Sequence, residues 1–269
     1  MKIQGAEGKE SDRLKATIEG LNPEALQATL VSSIGNHCQV WRTSKRNEPA
    51  VKGPAYTEFV IKYPIIHYAE AEIRLLAIQY RLLKEKLDDI VPDALFMITR
   101  INGERNVCVL ARAVNIWFNI ANPQNEEEAI ALLRKYPKAR NQLQRFIAVT
   151  EVFRQSDNPR LIDLYGLDNL VLDNNREIRY IDSFDVFFFE DMANLFAESD
   201  PELETKINIS LQRLAYLKQV LAMANKSACA PSSSEVEDPA YQDKGRSKHS
   251  GKQRQCLPSD DLTQDQHLR

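Results

Sequence analysis

One helical repeat stands alone among strand-like segments in the first half of this chain. From Glu70 to Lys86 apolar residues recur at 73, 76, 80, 83 and 87, the spacing of an amphipathic helix. On either side the text is β-branched and aromatic. Thr57–Tyr63 reads as a strand closed by Pro64, and Leu95–Ile101 and Asn106–Val114 read as two strands joined at Asn102-Gly103, a strong hairpin signal. Ala28–Ile34 and Gln39–Thr43 form a further strand pair around Gly35-Asn36-His37-Cys38. A single helix set into an antiparallel sheet makes the class α+β.

Beyond Pro123 the pattern turns helical. Glu126–Tyr136 opens with three acids, which favour a helix start, and Ala139–Gln155 carries apolar residues at 143, 146, 147, 150 and 153. Leu170–Leu172 and Ile178–Ile181 read as short strands separated by Asp173-Asn174-Asn175. Glu202–Met223 repeats Leu203, Ile207, Leu211, Leu214, Leu217 and Leu221 as a long amphipathic helix. The expected organisation is a polar, mobile start over residues 1–20, a compact domain over 21–225 and a disordered tail over 226–269. Within the domain a mostly β part covers about 25–112 and a mostly helical part about 113–225.

Composition bounds the function. With 43% apolar and 27% charged residues among 269, the chain is an ordinary globular one. A net charge of −3 gives no general attraction to nucleic acid or anionic lipid, and no stretch is apolar for the roughly 18–20 residues that span a bilayer. The start is charged, without the apolar centre of a secretory signal. The four cysteines are dispersed, and two fall in the polar tail, so neither a disulfide framework nor a zinc site is expected. These features point to the cytoplasm.

His37 and His67 are isolated from other ligand-type residues, and Trp117-Phe118 and Phe187-Phe188-Phe189 read as packing aromatics. Arg134, Lys135, Lys138, Arg140 and Arg145 read as a solvated basic face. No GxSxG, HExxH or Walker loop is present.

Four stretches stand in an order that resembles the protein-kinase-like superfamily. Ser33 to Val40 matches the glycine-rich loop at Gly35 and Val40, though an ordinary hairpin turn accounts for it equally well. Val60-Ile61-Lys62 is similar to the strand lysine motif, followed by a helix with Glu70 and Glu72 in its first turns. Leu161 to Leu172 resembles the catalytic loop, and Asn169 stands thirteen residues before Asp182-Ser183-Phe184, as in the segment that carries the family's two magnesium ligands.

The resemblance implies a two-lobed fold, with a small antiparallel β N-lobe and a reduced helical C-lobe, that binds ATP and Mg2+ between the lobes. In it Lys62 holds phosphates, Glu72 orients Lys62, Asn169 and Asp182 hold magnesium, and Asp163 orients or deprotonates the acceptor. The hinge around Val109–Ala113, with Leu110 and Ala111, supplies backbone groups to adenine. The acceptor, protein or small molecule, is not indicated. There are also departures. Five residues before Asn169 stands Leu164, with Asp163 one residue further back and no histidine before it. Gly166 or Leu167 takes the place of the loop's usual basic residue, no APE motif follows, and the text after Asp182 is expected to run straight into a helix. Three readings follow: a compact phosphotransferase, a pseudokinase-like binding module, or an unrelated α+β adaptor that assembles through the last helix.

Overall fold

The computed structural model describes residues 18–19, 28–32, 38–43, 58–189 and 200–226. Gly35, residues 44–57, residues 190–199 and residues 227–269 lie outside the described residues. Of the polar start, Ile18 is described: it is buried and bridges Ile101, with the adjacent Glu19 N–H donating to Arg100 O at 2.9 Å.

The first half builds a five-stranded antiparallel sheet in the order β1-β2-β3-β5-β4, from β1 (Ala28–Ser32), β2 (Cys38–Thr43), β3 (Phe59–Pro64), β4 (Ala94–Ile101) and β5 (Glu104–Arg112). Asn102 and Gly103 both take positive φ, 53° and 89°, as a two-residue hairpin requires. Helix α1 (Glu70–Leu87) connects β3 to β4 and buries Ile73 and Leu76 with Val107, Val109 and Ala111 of β5. The alternate β5 residue Cys108 packs on the other face with Trp41, Ile61 and Tyr63. Strand periodicity of two therefore buries β5 on both sides.

The second half is helices over small sheets. β6 (Ile116–Phe118), β8 (Leu170–Asp173) and β9 (Ile178–Tyr180) form a three-stranded sheet, and β7 (Arg160–Ile162) pairs with β10 (Phe187–Phe189). Helices α2 (Glu126–Lys135), α3 (Pro137–Arg154) and α4 (Pro201–Lys226) enclose them. One apolar cluster joins Leu83, Leu87 and Ile90 to Leu143, Phe146, Leu161, Leu172, Phe187, Leu214 and Leu217. The five periodic positions expected on α3 are all buried.

The sequence reading missed β6, β7 and β10, because three residues cannot display a period. The chain after Asp182 does not run straight into a helix: it enters β10, whose Phe187 and Phe188 are buried against the α3 face. Three of the five basic residues have partners of their own, and Arg134, Lys135 and Lys138 are exposed. Arg145 pairs with Asp89, Lys138 with Glu177, and Arg134 donates to Met223 O. No helix among the described residues is long and apolar enough to cross a membrane.

Candidate functional site

The β8–β9 hairpin sets the first pair of candidate residues. Its turn is closed by Asp173, whose Oδ1 accepts from Asn175 N at 2.8 Å and Glu177 N at 3.0 Å. The ladder opposes Leu170 with Tyr180, and Ile181 N–H donates to Asn169 O at 2.9 Å. Asn169 and Asp182 thus leave the two open ends of one hairpin, and Asn169 Nδ2 reaches Asp182 Oδ2 at 3.3 Å. The thirteen-residue separation in sequence becomes a direct contact because pairing folds it in half. Ser183 N and Phe184 N donate to Asp182 Oδ1 at 2.7 and 3.3 Å and orient the carboxylate.

Asp163 arrives from β7. Its N–H donates to Val186 O at 3.0 Å, continuing the β7–β10 pairing by one residue. Its Oδ1 accepts from Tyr165 N at 2.6 Å, and its carbonyl accepts from Asn169 Nδ2 at 3.3 Å. Burial raises the carboxyl to about 7, and the negative charge of Asp182 adds to the shift. Leu164, at the position the resemblance assigns to a base, is fully buried. The extra loop residue therefore leaves Asp163, and not its successor, beside Asn169. Gly166 makes this possible: a Cβ there would lie 2.3 Å from Asn169 Oδ1.

Lys62 supplies the positive charge. It lies in β3 opposite Val40 of β2 and Val109 of β5. Its side chain is buried, and Nζ donates to Ile181 O at 2.5 Å and Ser183 Oγ at 3.1 Å, on either side of Asp182. Burial pushes the ammonium pKa down, and Asp182 partly restores it. Lys62, Asp163, Asn169 and Asp182 therefore converge, while Val40 is half-buried on the strand beside Lys62. Gly35 lies outside the described residues.

Two expectations fail. Glu72 does not pair with Lys62: it is exposed, and Oε2 accepts from the N-cap Ala69 N–H at 2.6 Å, the half of a capping box that an alanine N-cap allows. The buried residues of that helix face are Leu76 and Gln79. Leu110 and Ala111 offer no hinge backbone, because β5 is paired at both residues with β3 on one side and β4 on the other. The bonded stretch extends to Ala113, whose N–H donates to Glu58 O at 3.0 Å.

The structure adds residues that sequence reasoning passed over. Ser183 solvates Lys62. Phe184 packs beneath α1 with Tyr68, whose hydroxyl donates to Asp185 Oδ2 at 3.0 Å. Ser210 Oγ and Arg213 Nη1 from α4 hold the Asp163 loop. Short polar residues next to a charged one carried no distinctive spacing, and α4 is nearly forty residues downstream of the loop it touches. A depression lined by Gln39, Trp41 and Tyr63 lies on the other face of the sheet and shares no residue with this site.

Hard divalent cations take oxygen donors. The carboxylate of Asp182 qualifies as it stands; Asn169 joins it through Oδ1 once its amide turns, since Nδ2 now faces Asp182. A cation there would also relieve the opposition between the Asp182 and Asp163 carboxylates. Among the described residues no group of three His, Cys, Asp or Glu side chains stands at metal-holding distance. No protein-family model matches the chain, and no curated protein is significantly similar to it.

Proposed function

We propose that this protein is a compact phosphotransferase of the protein-kinase-like type that takes Mg-ATP between its five-stranded sheet and the β8–β9 hairpin. The carrying observation is the meeting of Lys62, Asp163, Asn169 and Asp182, which come from three separate stretches of chain. In this reading the sheet with α1 is the small lobe and the chain from about residue 113 is a reduced helical lobe.

Lys62 binds the α- and β-phosphates through its ammonium. Asp182 and Asn169 hold magnesium, which when bound neutralises charge on the triphosphate during transfer. Asp163 orients the acceptor hydroxyl and takes its proton as the acceptor oxygen bonds the γ-phosphorus and the bond to the ADP oxygen breaks.

A second reading, a non-catalytic nucleotide-binding module, is favoured by two observations: Glu72 caps α1 instead of pairing with Lys62, and Asn169 turns its nitrogen toward Asp182. Thermal unfolding with millimolar Mg-ATP tests both. A rise in melting temperature that is lost in Lys62→Ala and Asp182→Ala supports nucleotide binding. Absence of any rise rejects both readings and leaves the adaptor role. A rise with no ADP formed, whatever acceptor is supplied, selects the binding module.

A further inference from the structure

The loop that carries Asp163 has almost no regular ladder of its own. Past the bond from Asp163 N–H to Val186 O, the chain from Leu164 to Asp168 belongs to no strand or helix. It is nevertheless gripped at consecutive peptide units. In the unit joining Asp163 to Leu164, the carbonyl accepts from Asn169 Nδ2 at 3.3 Å and the N–H donates to Ser210 Oγ at 3.1 Å. In the unit joining Leu164 to Tyr165, the carbonyl accepts from Arg213 Nη1 and the N–H donates to Asp163 Oδ1 at 2.6 Å. Arg213 Nη1 also donates to the next carbonyl, Tyr165 O.

The second unit matters most. A trans peptide is planar, with C=O and N–H pointing oppositely, so whatever fixes the oxygen also aims the hydrogen. A guanidinium on Leu164 O therefore holds the Tyr165 N–H on the Asp163 carboxylate and strengthens that donor by polarising the amide. Both grips come from one helix. Ser210 and Arg213 are three apart on α4, and Lys206, four before Ser210, lies 5.9 Å from the centroid of the Tyr165 ring. Ser210 is fully buried, a position where an apolar residue would pack at lower cost unless its hydroxyl had a partner.

We infer that Arg213, assisted by Ser210, is a positioning residue that sets the orientation of the Asp163 carboxylate through the Leu164–Tyr165 peptide. The geometric part stands alone; its effect on turnover rests on the phosphotransferase reading above.

The test uses the full-length chain with Arg213→Ala, Arg213→Lys and Ser210→Ala, followed by amide hydrogen exchange at Leu164 and Tyr165. Arg213→Ala is expected to speed exchange at Tyr165 about tenfold, as for loss of one charge-assisted bond, with exchange in the β8–β9 hairpin unchanged. Arg213→Lys, which keeps one cationic donor, is expected to retain most of the protection. Where ATP turnover is measurable, kcat falls about tenfold in Arg213→Ala at unchanged KM for ATP, and added guanidinium ion restores part of it. Tyr165 exchange identical to wild type in Arg213→Ala would overturn the inference. If Arg213→Ala does not fold, Ser210→Ala decides: faster exchange at Leu164 and Tyr165 supports it, and unchanged exchange overturns it. A wild-type chain without ATP turnover counts against the phosphotransferase reading and leaves the exchange result standing.

Discussion

Replacing Gly166 with alanine adds one methyl group, and its cost can be worked from the atoms it meets. The new Cβ would lie 2.3 Å from Asn169 Oδ1, 2.8 Å from Cγ and 3.1 Å from Nδ2. All three belong to an amide already committed to Asp163 O and Asp182 Oδ2, each at 3.3 Å. Asn169 must turn away and give up both bonds, each worth about 0.5–1.5 kcal/mol net. Gly166 has no left-handed φ, so alanine gains about 0.4–1 kcal/mol from the less mobile unfolded chain. The balance is a loss of about 1–2 kcal/mol, at about 2–4 °C of melting temperature per kcal/mol for a domain of this size. Reversible urea or thermal unfolding followed by circular dichroism measures it. The decisive comparison is the same substitution in an Asn169→Ala background, where the clashing amide is gone. There Gly166→Ala should become neutral or slightly stabilising. Gly103→Ala is the control: its φ of +89° makes it costly with no atom within 4 Å, so its cost should ignore Asn169. An equal cost for Gly166→Ala in both backgrounds would refute the argument that Gly166 exists to admit Asn169.

Glu72→Ala removes a capping contact and should lower stability by about 0.5–1 kcal/mol in urea unfolding, while any Mg-ATP stabilisation stays at its wild-type size; loss of the nucleotide effect would mean that Glu72 serves Lys62 after all. Asp89 joins the end of α1 to α3 and β9 by accepting from Gln142 Nε2 at 2.6 Å and from Arg145, while its carbonyl accepts from Arg179. Burial pushes its carboxyl up, but the Gln142 and Arg145 donors outweigh it and hold the pKa below the ordinary carboxylate value. Its contribution is therefore present above the unfolded pKa of about 4 and lost as pH falls through the folded one. The stability gap between wild type and Asp89→Asn, read by urea unfolding, should close below about pH 4, and a gap unchanged down to pH 2 would refute this.

Much of the scaffold was legible residue by residue. Ile73, Leu76, Tyr80, Leu83 and Leu87 announced α1 and are all buried, and Asn102-Gly103 announced the β4–β5 turn and takes the positive φ values it needs. The β8–β9 hairpin between Asn169 and Asp182 could be read locally from its two short strands and the Asp173-Asn174-Asn175 turn, while their pairing as ligands came only from the resemblance. The partner of Lys62 could not. Glu72 stood at a plausible distance in sequence, yet the nearest unsatisfied donor to its carboxylate was the Ala69 amide at the helix start, and local capping won over a distant ion pair. The text after Asp182 looked helical because three phenylalanines carry no strand period, and only pairing with Arg160–Ile162 makes them β10.

Composition and periodicity alone determined the α+β class, the large helices and the hairpin that joins an amide to a carboxylate, since these follow from which faces must leave water and which turns close. Tertiary structure alone decided what meets the Lys62 ammonium and what holds the Asp163 loop. Ile181 O, Leu164 O and Tyr165 O accept those hydrogen bonds, and a backbone carbonyl is the same group at every residue. A contact made to such a group leaves no mark on the identity of the residue that receives it.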